Sequence, residues 1–307
     1  MPSKQSEAVR DYWRSATEAA RANPNRTPDA VREQVEKYWP ALTAEPGGLD
    51  YLETEVAGRP ALWAVPKGAA EDRVILCVHG GGGVSGSIYT HRKLFGHLAK
   101  ATGARALLTE YSPLPHPAPL DDTTAAYRWL LGQGADARHI AVAGDSLGGG
   151  LSIATMLRAR DLGLPTAAAL MLISPWVDMT VSSETFETNR TAEAFFYKEV
   201  VGALASLYLA GADAKDPLAS PLYADLSGLP PTYIQVGGDE TLLGESLQLE
   251  QNARTAGVDV QAEVFPGQQH TFQMAAGYSP ESDDAIRKLA GWVRPKLGLT
   301  QTQTAGG

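Results

Sequence analysis

The 307-residue sequence contains a single cysteine, Cys77, which excludes an intramolecular disulfide and a CxxC metal site. It also lacks an excess of basic residues. Its 26 Lys and Arg stand against 35 Asp and Glu, a net charge of −9, and such an acidic chain is a poor candidate for binding nucleic acid. No apolar run approaches the roughly 20 residues of a transmembrane helix, and no apolar signal segment follows the first residues. We therefore expect no membrane span, and a cytoplasmic location is the simplest expectation.

What the sequence does contain is an ordinary globular composition, with 44% hydrophobic and 20% charged residues, which excludes a wholly disordered chain. Two short alternating runs, 51–57 and 61–65, predict a β-hairpin. Beyond them, apolar strands alternate with helical stretches. Strands are predicted at 74–78, 106–109, 140–143, 167–173, 232–236 and 258–265, and helices at 89–102, 121–131, 147–161, 242–256 and 282–297. This alternation indicates an α/β fold with a mostly parallel sheet covered on both faces.

Two further regions do not fit the alternation. The first 45 or so residues have an amphipathic helical pattern, with an apolar stripe at Val31, Val35, Tyr38 and Trp39, and could either cover a site or pack on the core. The region 176–225 is too long for a strand-to-helix connection, which suggests an inserted cap that includes a helical segment at 195–209.

The motif GDSLG at residues 144–148 carries the strongest chemical signal. It follows a predicted strand and precedes a predicted helix. A serine on such a sharp turn, here Ser146, is exposed above the sheet as a nucleophile. The alternative interpretation is a phosphate-binding turn or a merely tight one.

A second motif, HGGGG at residues 79–83, also follows a strand. Glycines there can present two backbone N–H groups which, with that of Leu147, would bind an oxyanion. A flexible loop or a dinucleotide-type turn is the alternative, but the GxGxxG pattern is not cleanly met. His79 is interpreted as a hydrogen-bonding residue that shapes the loop.

An acid and a base are expected after the nucleophile in the chain. Of the six histidines, only His270 lies downstream of Ser146 and just past a late strand. Two neighbouring acids, Asp239 and Glu240, follow the strand 232–236, at the sheet edge where α/β folds build their sites. Either could orient His270.

These motifs together resemble the hormone-sensitive-lipase-like esterases of the α/β-hydrolase fold. The resemblance extends from about residue 49 to 297 and includes SPWVD at 174–178 and the DP…SPL stretch at 216–222. It implies that Ser146 is the nucleophile, His270 the base and Asp239 the acid. It further implies that the N–H groups of Gly81, Gly82 and Leu147 form the oxyanion hole, with no metal or organic cofactor.

The resemblance also implies a domain division. Residues 1–45 and 176–225 would form a two-part helical cap, 46–175 and 226–299 an α/β-hydrolase catalytic domain, and 300–307 a flexible tail. From the cap, Phe195, Phe196 and Tyr208 are candidates for binding substrate, although helical aromatics also serve simply for packing. A homodimer is expected by resemblance.

The activity that follows is hydrolysis of carboxylic esters, with small or short-acyl esters as the expected substrates. A lactone hydrolase using the same site is an alternative. A non-catalytic small-molecule receptor is a second alternative, because plant gibberellin receptors resemble this family but lack the catalytic histidine, which His270 would supply here.

Overall fold

A computed structural model describes residues 2–23 and 27–300. Within these residues one eight-stranded sheet runs through the molecule. Its strands are β1 Leu49–Val56, β2 Arg59–Pro66, β3 Ala70–Val78, β4 Ala104–Thr109, β5 Ile140–Asp145, β6 Ala169–Ile173, β7 Thr232–Gly237 and β8 Val260–Phe265. They lie in the order β1-β2-β4-β3-β5-β6-β7-β8. β1, β2 and β4 pair antiparallel, and the strands from β4 to β8 pair parallel. The predicted hairpin and the mostly parallel sheet are confirmed.

In the described residues, helices cover both faces of the sheet, and further helices lie at one of its edges. Together they are α1 Lys4–Ala22, α2 Pro28–Tyr38, α3 Ile88–Thr102, α4 Ala118–Gly132, α5 Leu147–Asp161, α6 Thr185–Thr188, α7 Lys198–Leu209, α8 Leu243–Thr255 and α9 Pro280–Lys296. Along β3, Ile75 and Cys77 share a core cluster with α3 and α9, whereas Val74 and Leu76 pack with α4 and α5. This two-residue alternation explains why the strand is apolar throughout.

Parallel strands bring their carboxyl ends to one edge of the sheet. Residues 79–83 follow β3, Ser146 follows β5, Ser174 follows β6, Glu240 follows β7 and His270 follows β8. The topology therefore collects the predicted motifs along a single edge, although they are far apart in the chain.

Helices α1, α2 and α7 contribute residues to the wall of a cavity above this edge. They come from the two segments predicted as a cap, and the division into domains stays a prediction. The proposed tail lies outside the described residues except for Thr300. Among the helices that the structure describes, none has the length and apolar character needed to cross a bilayer.

Candidate active site

Ser146 occupies a strained turn between β5 and α5. Its φ of 52° and ψ of −124° put a non-glycine residue in a sparsely populated region, which is tolerated where surrounding contacts enforce it. A Cβ on Gly144 would collide with the carbonyl of Gly148, and one on Gly148 would collide with the carbonyl of Val78. Both flanking glycines of the motif are therefore required by close packing of the turn.

The glycine loop after β3 is held against this turn. Gly80 N–H donates to Asp145 Oδ1 at 2.9 Å, and His79 Nδ1 lies 2.7 Å from Gly80 O. The predicted loop-shaping role of His79 is thereby confirmed. Gly81 and Gly82 have φ of 114° and 63° and line the cavity together with Ser146. Because the Gly80 amide is already paired, these next two glycines are the ones available to a ligand.

Leu147 is the first residue of α5 and lies directly after Ser146. Its N–H belongs to the first turn of the helix, where amides point out of the amino terminus. Its side chain is buried in an apolar cluster and does not line the cavity.

His270 connects Ser146 to a carboxylate. Its Nε2 lies 3.0 Å from Ser146 Oγ, and its Nδ1 lies 3.0 Å from Glu240 Oε2. All three side chains are buried. Burial by itself would lower the pKa of His270, but the hydrogen bond and negative charge of Glu240 outweigh it, and the pKa is raised. The imidazole is thus held in place from both sides.

The prediction that Asp239 is the acid beside His270 is wrong. Asp239 is half-buried, and its Oδ2 accepts a hydrogen bond from Gln269 Nε2 at 3.4 Å. The cause is the turn that follows β7, in which Gly237 N–H donates to Glu240 Oε1 at 2.5 Å. This turn directs the second acid, Glu240, back over the strand ends.

The structure also brings together two groups that the sequence motifs did not link. Asp145 Oδ2 lies 3.3 Å from His91 Nε2, and both side chains are buried on the cavity wall. Burial would raise the pKa of Asp145, but the nearby His91 and His79 and the Gly80 amide keep it lowered. No sequence signal links a residue of α3 to the turn at Ser146, since the pair forms only when the chain folds.

Above Ser146 lies a cavity of about 430 Å³ with a mainly apolar wall. Phe195 and Phe196 lie on this wall, and the Phe196 ring stacks on His270 with centroids 4.6 Å apart. Other wall residues come from α1, α2 and α7, among them Tyr12, Trp13, Val31, Val35, Val200 and Leu204.

Tyr208 does not lie on the cavity wall, which corrects its prediction as a substrate-binding residue. It is buried in the apolar cluster behind α7, and its hydroxyl is 3.4 Å from His116 Nδ1. Helical spacing did not distinguish the face of α7 that meets the cavity from the face that packs. Among the described residues, no group of three or more His, Cys, Asp and Glu side chains is arranged to hold a metal ion.

Comparisons with known proteins agree with this architecture. Residues 75–274 match the family model described as alpha/beta hydrolase fold. The chain is 38% identical to an acetyl-hydrolase of Streptomyces hygroscopicus over 88% of this chain and 97% of that protein. It is 35% identical to an esterase of Acinetobacter venetianus, over 72% and 75% of the two chains.

Solved structures give the same result. An esterase of the bacterial hormone-sensitive lipase family superposes with a TM-score of 0.92 at 41% identity, over 97% of this chain and 100% of that chain. EstE5, in crystals soaked with p-nitrophenyl butyrate, superposes with a TM-score of 0.91 at 36% identity, over 96% and 99%. The chain belongs to the α/β-hydrolase fold family and, within it, to the hormone-sensitive-lipase-like esterases. It is a carboxylic ester hydrolase, as the motifs predicted.

Proposed function

We propose that this esterase works through a triad of Ser146, His270 and Glu240 and forms an acyl-enzyme. The observation that carries the proposal is the pair of 3.0 Å contacts that link Ser146 Oγ, the His270 ring and Glu240. His270 Nε2 takes the proton of Ser146 as Oγ attacks the ester carbonyl, and Glu240 stabilises the imidazolium. His270 then protonates the leaving alcohol, and water repeats the sequence on the acyl-enzyme.

The oxyanion of each tetrahedral intermediate would be bound by the N–H groups of Gly81, Gly82 and Leu147. This assignment is supported by the place of the two glycines beside Ser146 and by the position of Leu147 at the start of α5. Such preorganised donors act where negative charge develops, and losing one costs on the order of 10²–10³ in rate.

The substrates would be esters with small or short acyl groups. A volume of about 430 Å³ lies near the lower end of ordinary ligand pockets and must also hold the alcohol part of the ester. The apolar wall favours an uncharged acyl chain. The names of relatives that are acetyl-hydrolases fit this size class.

The test is a chain-length series of p-nitrophenyl esters, measured on the wild type and on Ser146→Ala. We expect turnover to be greatest for short acyl chains and to fall as chains outgrow the cavity. Ser146→Ala should lose activity by on the order of 10⁴-fold or more, because Ser146 Oγ is the hydroxyl that contacts His270 Nε2 within the described part of the chain. Ser152→Ala, a buried serine on α5 that bonds to Gly148 O, is the control for misfolding.

Two outcomes would contradict the proposal. Full activity in Ser146→Ala would show that Ser146 is not the nucleophile. A steady rise of kcat/KM with long acyl chains would show that the enzyme does not prefer short-acyl esters. A parallel panel of lactones tests the cyclic-ester alternative at the same site.

The homodimer and the cytoplasmic location remain predictions. Sedimentation velocity tests the homodimer.

A further inference from the structure

We propose that Ser174 is a positioning residue of the active site, whose hydroxyl holds Glu240 and the segment that carries His270 at the same time. The inference rests on the proposed triad. Ser174 follows β6, which lies between β5, the strand that precedes Ser146, and β7, the strand that leads to Glu240. It therefore lies between the strand ends that carry Ser146 and Glu240.

The hydrogen bonds of this hydroxyl can be assigned a direction. Thr271 N–H, one residue past His270, can only donate, and it donates to Ser174 Oγ at 3.1 Å. The single hydroxyl proton is then free to go to Glu240 Oε1, which lies 2.6 Å away. The Ser174 side chain thus bridges Glu240 and the backbone next to His270.

The backbone around Ser174 is tied to the nucleophile as well. Ser174 is fully buried with a φ of 44°, in the left-handed region that non-glycine residues rarely adopt. On either side of it, Ile173 O accepts the N–H of Ser146 at 2.9 Å, and Trp176 N–H donates to Ser146 O at 2.9 Å. The turn 173–176 thereby contacts all three members of the triad or the backbone beside them.

The acid beside His270 is a glutamate, and a glutamate side chain needs more hydrogen bonds than an aspartate to fix its position. Glu240 has one more rotatable bond than an aspartate, and fixing that bond costs conformational entropy. Oε1 is held by Ser174 and by Gly237 N–H at 2.5 Å, which leaves Oε2 for His270. With both donors present, the longer side chain presents one defined oxygen to the imidazole.

The experiment is a full pH profile of kcat and KM on Ser174→Ala. We expect kcat to fall by on the order of 10–100-fold, the effect of losing a hydrogen bond to a charged group, with KM nearly unchanged. The acid limb of kcat/KM should move up by roughly half a pH unit, because a carboxylate with one donor fewer exerts more of its charge on the imidazolium.

Ser220→Ala is the matched control. Ser220 is equally buried, accepts Met179 N–H at 2.8 Å and donates to Ala214 O at 2.7 Å, but it touches no member of the triad. It should lose a comparable amount of thermal stability while keeping the wild-type kcat and pH profile. Glycine is favoured at positive φ. Ser174→Gly therefore separates the hydroxyl from the fold, and it should show the same kinetic change as Ser174→Ala.

A wild-type kcat and pH profile in Ser174→Gly or Ser174→Ala would overturn the positioning role while leaving the triad in place. Equal kinetic losses in Ser174→Ala and Ser220→Ala would also overturn it, since the effect would then be general. The failure of the triad itself has a different signature, namely activity retained in Ser146→Ala.

Discussion

At the scale of single residues, the turn after β7 determines which of two adjacent acids, Asp239 or Glu240, reaches His270. Asp239 and Glu240 carry the same functional group and follow the same strand. Glu240 is fully buried and 3.0 Å from His270, whereas Asp239 bonds to Gln269. The extra methylene of the glutamate and the turn at Gly237 together bring its carboxylate to the imidazole.

Substituting each acid in turn tests this assignment. Glu240→Gln should lower kcat by on the order of 10²–10⁴-fold, because an amide neither orients the imidazole correctly nor stabilises its charge. Asp239→Asn, the matched control one residue away, should keep activity close to that of the wild type. Steady-state kinetics on a short nitrophenyl ester measure both, and the reverse order of effects would restore Asp239 as the acid.

The raised pKa of His270 predicts the pH dependence. Free enzyme needs a neutral imidazole as base, so kcat/KM should fall as pH drops through a pKa above the ordinary value of about 6.5. Glu240→Gln removes the charge that raises this pKa while burial remains, so the residual activity should show an acid limb at lower pH. An unchanged limb would mean that Glu240 does not act on His270.

The same pKa shift has a consequence for folding. A histidine whose pKa is raised in the folded state favours folding below its unfolded pKa, and this contribution is lost as pH rises through the folded pKa. The acids Glu240, Glu193 and Asp145 supply the negative charge behind the shift, against the opposing effect of burial.

At the scale of elements, the start of helix α1 and the residue before it are bonded to helix α9 through one carboxylate. Glu281, in the first turn of α9, accepts Ser3 N–H at 2.6 Å, Ser3 Oγ–H at 2.7 Å and Ser6 Oγ–H at 2.9 Å. Partial burial would raise the pKa of Glu281, but these donors lower it to about 2. Since α1 forms part of the cavity wall, this attachment bears on the site.

We expect Glu281→Gln to lower Tm by about 2–4 °C at pH 7. A depressed carboxyl pKa contributes stability above the unfolded value, near 4.5, and that stability is lost as pH falls towards 2. The difference in Tm between wild type and variant should therefore shrink below pH 4.5. Glu7→Gln, on the exposed side of α1, is the control, and a difference constant with pH would contradict the attachment through charge.

Helix α7 lines the cavity near Gly82, one of the residues of the proposed oxyanion hole. A Cβ on Gly82 would lie 2.8 Å from Leu204 Cδ1, and Leu204 lines the cavity. Leu204→Ala should shift the ratio of kcat/KM for longer over shorter acyl chains by about 10-fold, because it opens room for further methylenes. Leu162→Ala, an exposed leucine away from the cavity, is the control. An unchanged chain-length profile would mean that α7 does not set the size limit.

At the scale of the whole molecule, the cavity is assembled from parts that are distant in the chain. Trp13 of α1 packs on Phe195 with ring centroids 4.4 Å apart and on Trp39 at 5.7 Å. These rings join the N-terminal segment to the segment between β6 and β7. The ring contacts that form part of the cavity wall therefore also hold α1 to the rest of the molecule.

Trp13→Ala should therefore lower both stability and activity. Removing a buried tryptophan costs about 3–5 kcal/mol of unfolding free energy, measured by urea denaturation. KM for short esters should rise at the same time, because the wall of the cavity loses its support. Trp129→Ala, a half-buried residue on α4, should keep KM unchanged. A stable Trp13→Ala protein with wild-type KM would contradict this account.

The sequence predicted much of this molecule because much of it is locally specified. Helix α5 has the predicted bounds, 147 and 161, and the strands differ from prediction by a few residues at their ends. The sequence also pointed to Ser146 and His270, which the structure places 3.0 Å apart, because strand-flanked motifs depend on near neighbours in the chain. The family and the fold class followed from these motifs.

What the sequence by itself determined is the alternation of strands and helices and the serine turn, since periodicity and close packing of glycines act over a few residues. Only the tertiary structure decided that Glu240 rather than Asp239 meets the imidazole, that Ser174 bonds to both loops, and that Tyr208 packs away from the cavity. Each of these depends on distances of a few ångströms between groups far apart in the chain. Such distances are set by how whole elements pack, and no local pattern encodes them.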